Sequence, residues 1–404
     1  MLIKNVNIVL EDRIIENGYI EFDENIKKYG TGCAEKDCTK ADCTSTESTG
    51  KEGTANEVFD AQGGYLLPGF VDCHTHGSGG ADFMDGTEED IIQASNSLLR
   101  HGTTSYLATT LTTSDEDLFL FLDNANKAKD KGGARMLGVH LEGPYINALE
   151  KGAQDERYIK KPTLEHVEKV LEKANGLVKR ISLAPEMDKD YQVTRYLSQN
   201  GILVSGAHTH ATYDQISKAY DNGLRELTHF YSGMSSIVRV GGFRVLGCVE
   251  SGYLIDDLYV EIIADGMHLP PELLDFIFRF KRHDRIVACS DSMRGAGMKD
   301  GQSILGPKKH GTDVIIEDGI AKMPDRSCFA GSIATGERLF NTLNNIMKLD
   351  LVETAKILAL QPAKTIGFDH LVGSIKEGKK ADFVLLDKEK APWKVFLDGK
   401  EVQK

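Results

Sequence analysis

Short apolar runs alternate with longer amphipathic stretches through most of the chain. The runs are Tyr65–Leu67 into Phe70-Val71, Ser105–Ala108, Met136–Leu141, Ile181–Leu183, Ile202–Val204, Glu226-Leu227, Val260–Ala264 and Arg285–Cys289. Helical periodicity lies between many of them, for example over Glu88–His101, Leu164–Ala174, Asp188–Gln199 and Tyr213–Asn222. Short apolar runs read as buried strands. A strand–helix repeat carried through about eight units predicts an α/β fold, a (β/α)8 TIM-like barrel. No GxGxxG turn supports the competing doubly wound sheet.

The two ends of the chain lack helical periodicity. Leu2–Leu10, Arg13–Ile15 and Tyr19–Phe22 read as strands, with Asn17-Gly18 as a turn. Ala381–Leu386, Val395–Leu397 and Glu401-Val402 read likewise, with Asp398-Gly399 turning the chain. Chain ends often lie close together, so one small β-sandwich domain from residues 1–66 and 371–404 is expected around a barrel of residues 67–370. Residues 31–56 are Thr, Ser, Gly, Lys and Glu with almost no aliphatic residue, and read as a flexible loop. Cys33, Cys38 and Cys43 within it are spaced too widely for a zinc knuckle and have no fourth partner nearby, so reduced thiols are expected.

Composition narrows the partners. Apolar residues at 41% and charged residues at 27% describe a globular chain. Sixty-one acidic against 48 basic residues leave a net charge of −13, which repels nucleic-acid phosphates and anionic lipid. No apolar run approaches the roughly 18 residues of a membrane span. The opening MLIKNVNIVLEDR lacks the pattern of a signal peptide, so a cytoplasmic protein binding neither nucleic acid nor membrane is expected.

The chemistry lies in the polar residues just beyond each apolar run. Val71 leads into Asp72-Cys73-His74-Thr75-His76, Val139 into His140-Leu141-Glu142, and Val204 into Ser205-Gly206-Ala207-His208-Thr209-His210. Thr228 leads into His229, Ala264 into Asp265-Gly266-Met267-His268, and Cys289 into Ser290-Asp291. One histidine after a strand is ordinarily structural. Six such deliveries in a chain of 12 histidines point to one mouth of a parallel barrel, where barrel enzymes place their chemistry.

Strand alternation points His74 and His76 to the same side, suited to gripping one ion. Glu142, His208 and His229 complete a set of nitrogen and oxygen ligands larger than one tetrahedral ion needs. One or two divalent ions, zinc or iron, are therefore expected. His208 is preferred to His210 because it is nearer the strand end, and His140 is expected to support the ligands from behind. Asp291 is assigned as general base and acid, its alternative being a residue that orients a ligand histidine. Cys73 and Cys289 read as buried core thiols.

These residues carry a resemblance. Pro68-Gly-Phe-Val-Asp-Cys-His-Thr-His76 and Gly373-Ser-Ile-Lys-Glu-Gly-Lys-Lys-Ala-Asp382 resemble the opening and closing motifs of the amidohydrolase superfamily. Within it, His140-Leu-Glu-Gly-Pro-Tyr-Ile-Asn147, Ala211-Thr-Tyr-Asp214, Thr228-His-Phe-Tyr231 and Ala264-Asp-Gly-Met-His268 resemble the N-acetylglucosamine-6-phosphate deacetylases. The resemblance runs from about residue 60 to 390. It implies metal-dependent hydrolysis of the N-acetyl group of an amino-sugar phosphate, releasing acetate, by a homodimer. It also implies Glu142 as bridging ligand, His208 and His229 as ligands, and His74 and His76 at a second metal position that only some members keep. Asp291 would be the acid/base and His268 would contact the substrate and polarise its carbonyl. Ala153, Ser232, Gly233, Ala330 and Gly331 fall at sugar-contacting positions.

Three departures stand out. Ser232-Gly233 replaces the Asn-Ala common in members, and Asp291-Ser292-Met293-Arg294 replaces a segment containing Asp-Ala-Thr. The Arg-Glu-Pro-Gly that supplies a phosphate-binding arginine from a partner subunit is not recognisable, leaving Arg239, Arg244 and Arg294 as candidates. The alternatives are an amidohydrolase acting on another N-acyl or cyclic amide, and a non-catalytic metal-binding scaffold. Asp291 and the full ligand set argue against the scaffold.

Overall fold

A computed structural model describes residues 1–32 and 57–403. Eight parallel strands form its central sheet: β1 (Phe70–Thr75), β2 (Thr103–Thr110), β3 (Arg135–Glu142), β4 (Val178–Leu183), β5 (Leu203–Gly206), β6 (Leu224–Leu227), β7 (Tyr259–Ile263) and β8 (Ile286–Cys289). They lie in sequential order, each paired with the next. Residues just beyond β8 close the ring onto β1: the Asp291 N–H donates to the His74 carbonyl and the His76 N–H to that of Ser292. β1 and β2 are buried along their whole length, as strands covered on both faces must be. On the face of β1 opposite His74, Val71 and Cys73 pack with Leu107 and Leu137 against Ala359, Ala363 and Ile366.

The crossover helices are α1 (Glu88–Arg100), α2 (Asp115–Ala128), α3 (Leu164–Ala174), α4 (Gln192–Gln199), α5 (Tyr213–Asp221), α6 (Cys248–Leu254) and α7 (Pro271–Phe280). Thr87, Ser114 and Thr163 cap the first three by accepting a backbone N–H three residues on, and Thr212 with Gln215 forms a full capping box on α5. The helical pattern expected from Asp188 is broken, because Asp190 and Tyr191 take positive φ. The Asp188 carboxylate instead accepts the N–H groups of Val193 and Thr194, so α4 starts later. No helix among the described residues is long and apolar enough to cross a membrane.

Both chain ends contribute to one further sheet. Its path runs Lys400–Glu401, Pro392–Leu397, Phe383–Leu386, Tyr65–Pro68, Leu2–Val9, Ile14–Phe22 and Ile26–Thr31, with Val58–Asp60 also paired to Leu2–Val9. Phe22, Phe383 and Phe396 meet edge to face in its core. Asn17-Gly18 is not the turn expected. It lies within Ile14–Phe22 at a register shift, with Asn17 at φ 48°, and the chain reverses at residues 10–13 instead. A Cβ at Gly18 would stand 2.6 Å from the Gly30 carbonyl, so glycine there serves close strand approach rather than reversal. Cys33, Cys38, Cys43 and most of the expected 31–56 loop lie outside the described residues.

Candidate metal centre

Five barrel strands carry the candidate ligands to one mouth. His74 and His76 project from the end of β1 with ring centroids 5.3 Å apart, and Glu142 ends β3. His208, His229 and Asp291 each stand two residues past the end of β5, β6 and β8, with φ of 42°, 33° and 46°. Such backbone is costly for non-glycine residues and persists only where the surroundings hold it. Here the strain coincides with three side chains of the cluster.

Glu142 is the hub. Its Oε1 lies 2.9 Å from His229 Nε2, 3.2 Å from His208 Nε2 and 3.6 Å from His74 Nε2. Its Oε2 lies 3.5 Å from His76 Nε2 and accepts a hydrogen bond from Gln154 Nε2 at 2.7 Å. Asp291 Oδ1 is 3.2 Å from His76 Nε2 and 3.4 Å from His74 Nε2. Two sets of ligand atoms carry the residues that reach the mouth, His74 with His76 and Asp291, and Glu142 with His208 and His229; a third, His74 with Glu261 and Cys289, is wholly buried.

This donor set fits a divalent cation. His208 Nε2 and His229 Nε2 face each other at 3.2 Å, and His74 Nε2 is buried without a hydrogen-bond partner. Imidazole nitrogens turned toward one another and toward carboxylates suit zinc or iron better than calcium or magnesium. Protons also favour the site. Burial disfavours charged imidazole, yet Glu261, Asp291 and Glu142 hold His74 well above the ordinary histidine range, and His76 and His208 are raised by Asp291 and Glu142. Burial pushes Glu142 up, but His74, His208 and His229 outweigh it and hold its carboxyl well below the usual range.

Behind the ligands lies a hydrogen-bonded layer that sequence reasoning found only in part. His140, expected as support, bonds Ser182 Oγ at 2.7 Å and meets the His74 ring edge to face at 4.7 Å. Glu261, Arg180 and Gln154 were missed. The signal for Glu261 was present, since a charged residue inside the apolar run Val260–Ala264 must find a buried partner, whereas Arg180 follows Lys179 just before the run Ile181–Leu183. Gln154 carried no such signal: it bridges Glu142 and the Thr112 N–H from a loop.

A cavity of about 280 Å³ opens on the cluster, lined by His76, Glu142, His208, His229 and Asp291. His268, Ala153, Ser232, Gly233 and Gly331 also line it, and Ala330 is buried beside Gly331. Leu305, Cys328 and Phe329 line the cavity too, from a region where no site residue was expected except Ala330 and Gly331. His210 points elsewhere, exposed and bonded to Glu150 Oε1 at 2.8 Å. Arg239 does not line the cavity of its own chain. It lies opposite Arg244 on an exposed hairpin, Val238–Val240 with Phe243–Val245. Arg294 is no free phosphate clamp: it is buried, forks onto Asp85 at 2.8 and 2.9 Å, and donates to the Ile304 carbonyl.

A parallel barrel gathering four imidazoles and two carboxylates over a cavity defines a metal-dependent hydrolase. The chain belongs to the amidohydrolase family, whose model matches residues 65–403. It is 32% identical to an N-acetylglucosamine-6-phosphate deacetylase of Bacillus subtilis (strain 168), over 96% of this chain and 93% of that protein. The structure of an N-acetylglucosamine-6-phosphate deacetylase from Thermotoga maritima superposes with a TM-score of 0.83 at 30% identity, covering 100% of both chains. An aspartate-to-alanine variant of the Mycobacterium smegmatis enzyme, in complex with N-acetyl-D-glucosamine-6-phosphate, gives 0.87 at 26% identity, covering 100% of this chain and 99% of that one.

Proposed function

We propose that the chain hydrolyses the N-acetyl group of N-acetylglucosamine 6-phosphate to glucosamine 6-phosphate and acetate. The observation that carries this reading is that Asp291, His268 and the Glu142–His208–His229 cluster face one cavity. Relatives named for this activity match over nearly the whole chain. The same reading takes residues 67–370 as the barrel domain and residues 1–66 and 371–404 as its β domain.

Glu142, His208 and His229 would hold one zinc or iron ion, and His74, His76 and Asp291 a second. A bound cation supplies the positive charge that acidifies water and stabilises a developing oxyanion. Asp291 takes the proton released as water attacks the acetyl carbon and returns it to the departing nitrogen, so the C–N bond breaks to amine and acetate. His268 presents Nε2 to the substrate, because Asp265 engages Nδ1 at 2.8 Å. Ala153, Ser232, Gly233, Ala330 and Gly331 shape the sugar subsite. Arg239, on its exposed hairpin, would reach the 6-phosphate of a second copy in a homodimer, beside the exposed Val240 and Phe243.

The test is acetate release from the phosphorylated and unphosphorylated sugars by protein stripped of metal and reloaded with zinc or iron. Turnover of the phosphorylated sugar, lowered about 10²–10⁴-fold in Asp291→Asn, is expected. A loaded protein that turns over neither sugar sinks the substrate assignment. The second reading, another N-acyl or cyclic amide, is favoured by the absence of Arg239 from the lining of its own chain's cavity.

A further inference from the structure

Glu261 sits within β7 and is fully buried. Its two oxygens serve different partners. Oε1 pairs with the Arg180 guanidinium of β4, while Oε2 lies 3.0 Å from His74 Nδ1 and accepts the His229 N–H at 3.0 Å. Arg180 is held in turn by Glu226 at 2.9 Å and by Thr228 Oγ1 at 3.0 Å. A carboxylate facing a guanidinium and an amide N–H accepts, so the hydrogen between it and His74 resides on Nδ1. In the neutral ring that binds a cation, this leaves the lone pair on Nε2, which faces Asp291 Oδ1 at 3.4 Å and Glu142 Oε1 at 3.6 Å.

We propose that Glu261 is the positioning residue shared by both halves of the centre, setting the His74 tautomer and holding the strained His229 turn through its amide. The inference rests on the reading of His74 and His229 as cation ligands. Its physical content lies in the isosteric amide. In Glu261→Gln, an oxygen kept toward Arg180 turns the NH₂ toward His74 and the His229 N–H. Flipping the amide turns the NH₂ against the guanidinium instead. In the first arrangement His74 must accept at Nδ1 and carry its hydrogen on Nε2, where it blocks the cation.

Two measurements on the full chain test this. In ¹⁵N–¹H spectra of zinc-loaded wild type, His74 should show a protected Nδ1–H; a hydrogen on Nε2 overturns the proposal, whether one or two ions are bound. In zinc titrations, folded Glu261→Gln should bind about 10–100-fold more weakly at the His74 position, and Glu261→Asp, which keeps the acceptor, should recover part of the loss. Wild-type affinity and tautomer in Glu261→Gln overturn it. If that variant does not fold, the wild-type spectrum decides. A wild type that binds no zinc or iron overturns the ligand reading, and the proposal with it.

Discussion

His268 Nδ1 lies 2.8 Å from Asp265 Oδ2, and the other oxygen of that carboxylate accepts the N–H groups of Met267 and His268 at 2.8 and 2.9 Å. Burial pushes the Asp265 carboxyl up, but these hydrogen bonds and the charge of His268 outweigh it and hold it below the usual range. One buried carboxylate thus sets both the loop and the ring orientation, while Phe329 packs against the ring at 5.1 Å. Asp265→Asn turns an amide NH₂ toward Nδ1 or breaks the loop contacts. It should lower kcat by about 10²-fold with the ion content unchanged, since it misdirects one group that stabilises developing charge. Steady-state acetate release with metal analysis checks this, and an unaltered kcat counts against His268 acting on the carbonyl.

Gly233 adopts φ 55°, and a Cβ there would stand 2.8 Å from His208 Nδ1 and 2.9 Å from the Glu150 carbonyl. The same carbonyl is bonded to His208 Nδ1 at 2.8 Å. Gly233→Ala should therefore cost about 1–3 kcal/mol of stability and loosen the ion held by His208. Denaturant unfolding and retention of zinc against a chelator measure the two effects. Lost stability with full retention would separate backbone strain from the His208 contact.

Protons and the cation compete for the same nitrogens. With His74, His76 and His208 raised above the ordinary range, these rings hold protons in the metal-free protein at a pH where free histidine has lost them. Binding must displace them, so zinc affinity should rise with pH up through the raised values of these rings, with measurable proton release. The metal-free fold should show the opposite trend. Stabilisation from these rings is complete below their unfolded pKa of about 6.5 and is lost as pH rises through the folded values. Calorimetry in buffers of different ionisation enthalpy, alongside melting of the metal-free protein, tests both signs.

Arg239 should matter only to substrates that carry the phosphate. Arg239→Ala is expected to lower kcat/KM for the phosphorylated sugar about 10–100-fold and to leave the unphosphorylated sugar unchanged, as for loss of a charge-assisted contact. If the arginine acts in a second copy, mixing Arg239→Ala with Asp291→Asn protein should restore activity through hybrid dimers. Mixtures no more active than their parts would place the clamp elsewhere.

Much of the centre was legible because parallel barrels deliver strand ends to one mouth. His208, His229 and Asp291 share one offset from their strands, and the period of two pairs His74 with His76. Asn17-Gly18 misled because its dipeptide chemistry suits a hairpin turn and a bulge equally, and only the neighbouring Gly30 strand distinguishes them. The role of Arg294 was illegible for a similar reason. Its partner Asp85 lies 209 residues away, and an arginine beside a catalytic aspartate looks the same in sequence whether paired or free.

The sequence by itself determined the strand–helix alternation, the capped helices and which residue types arrive at the strand ends. These features come from local periodicity and from side chains reaching backbone a few residues away. Tertiary structure alone decided which face of each fully buried strand turns inward, and so which charges meet. Strands buried on both faces show no polar side to read. Glu261 meets His74 across 187 residues because barrel closure sets β7 near β1, where burial without water obliges each charged or polar group to find its partner.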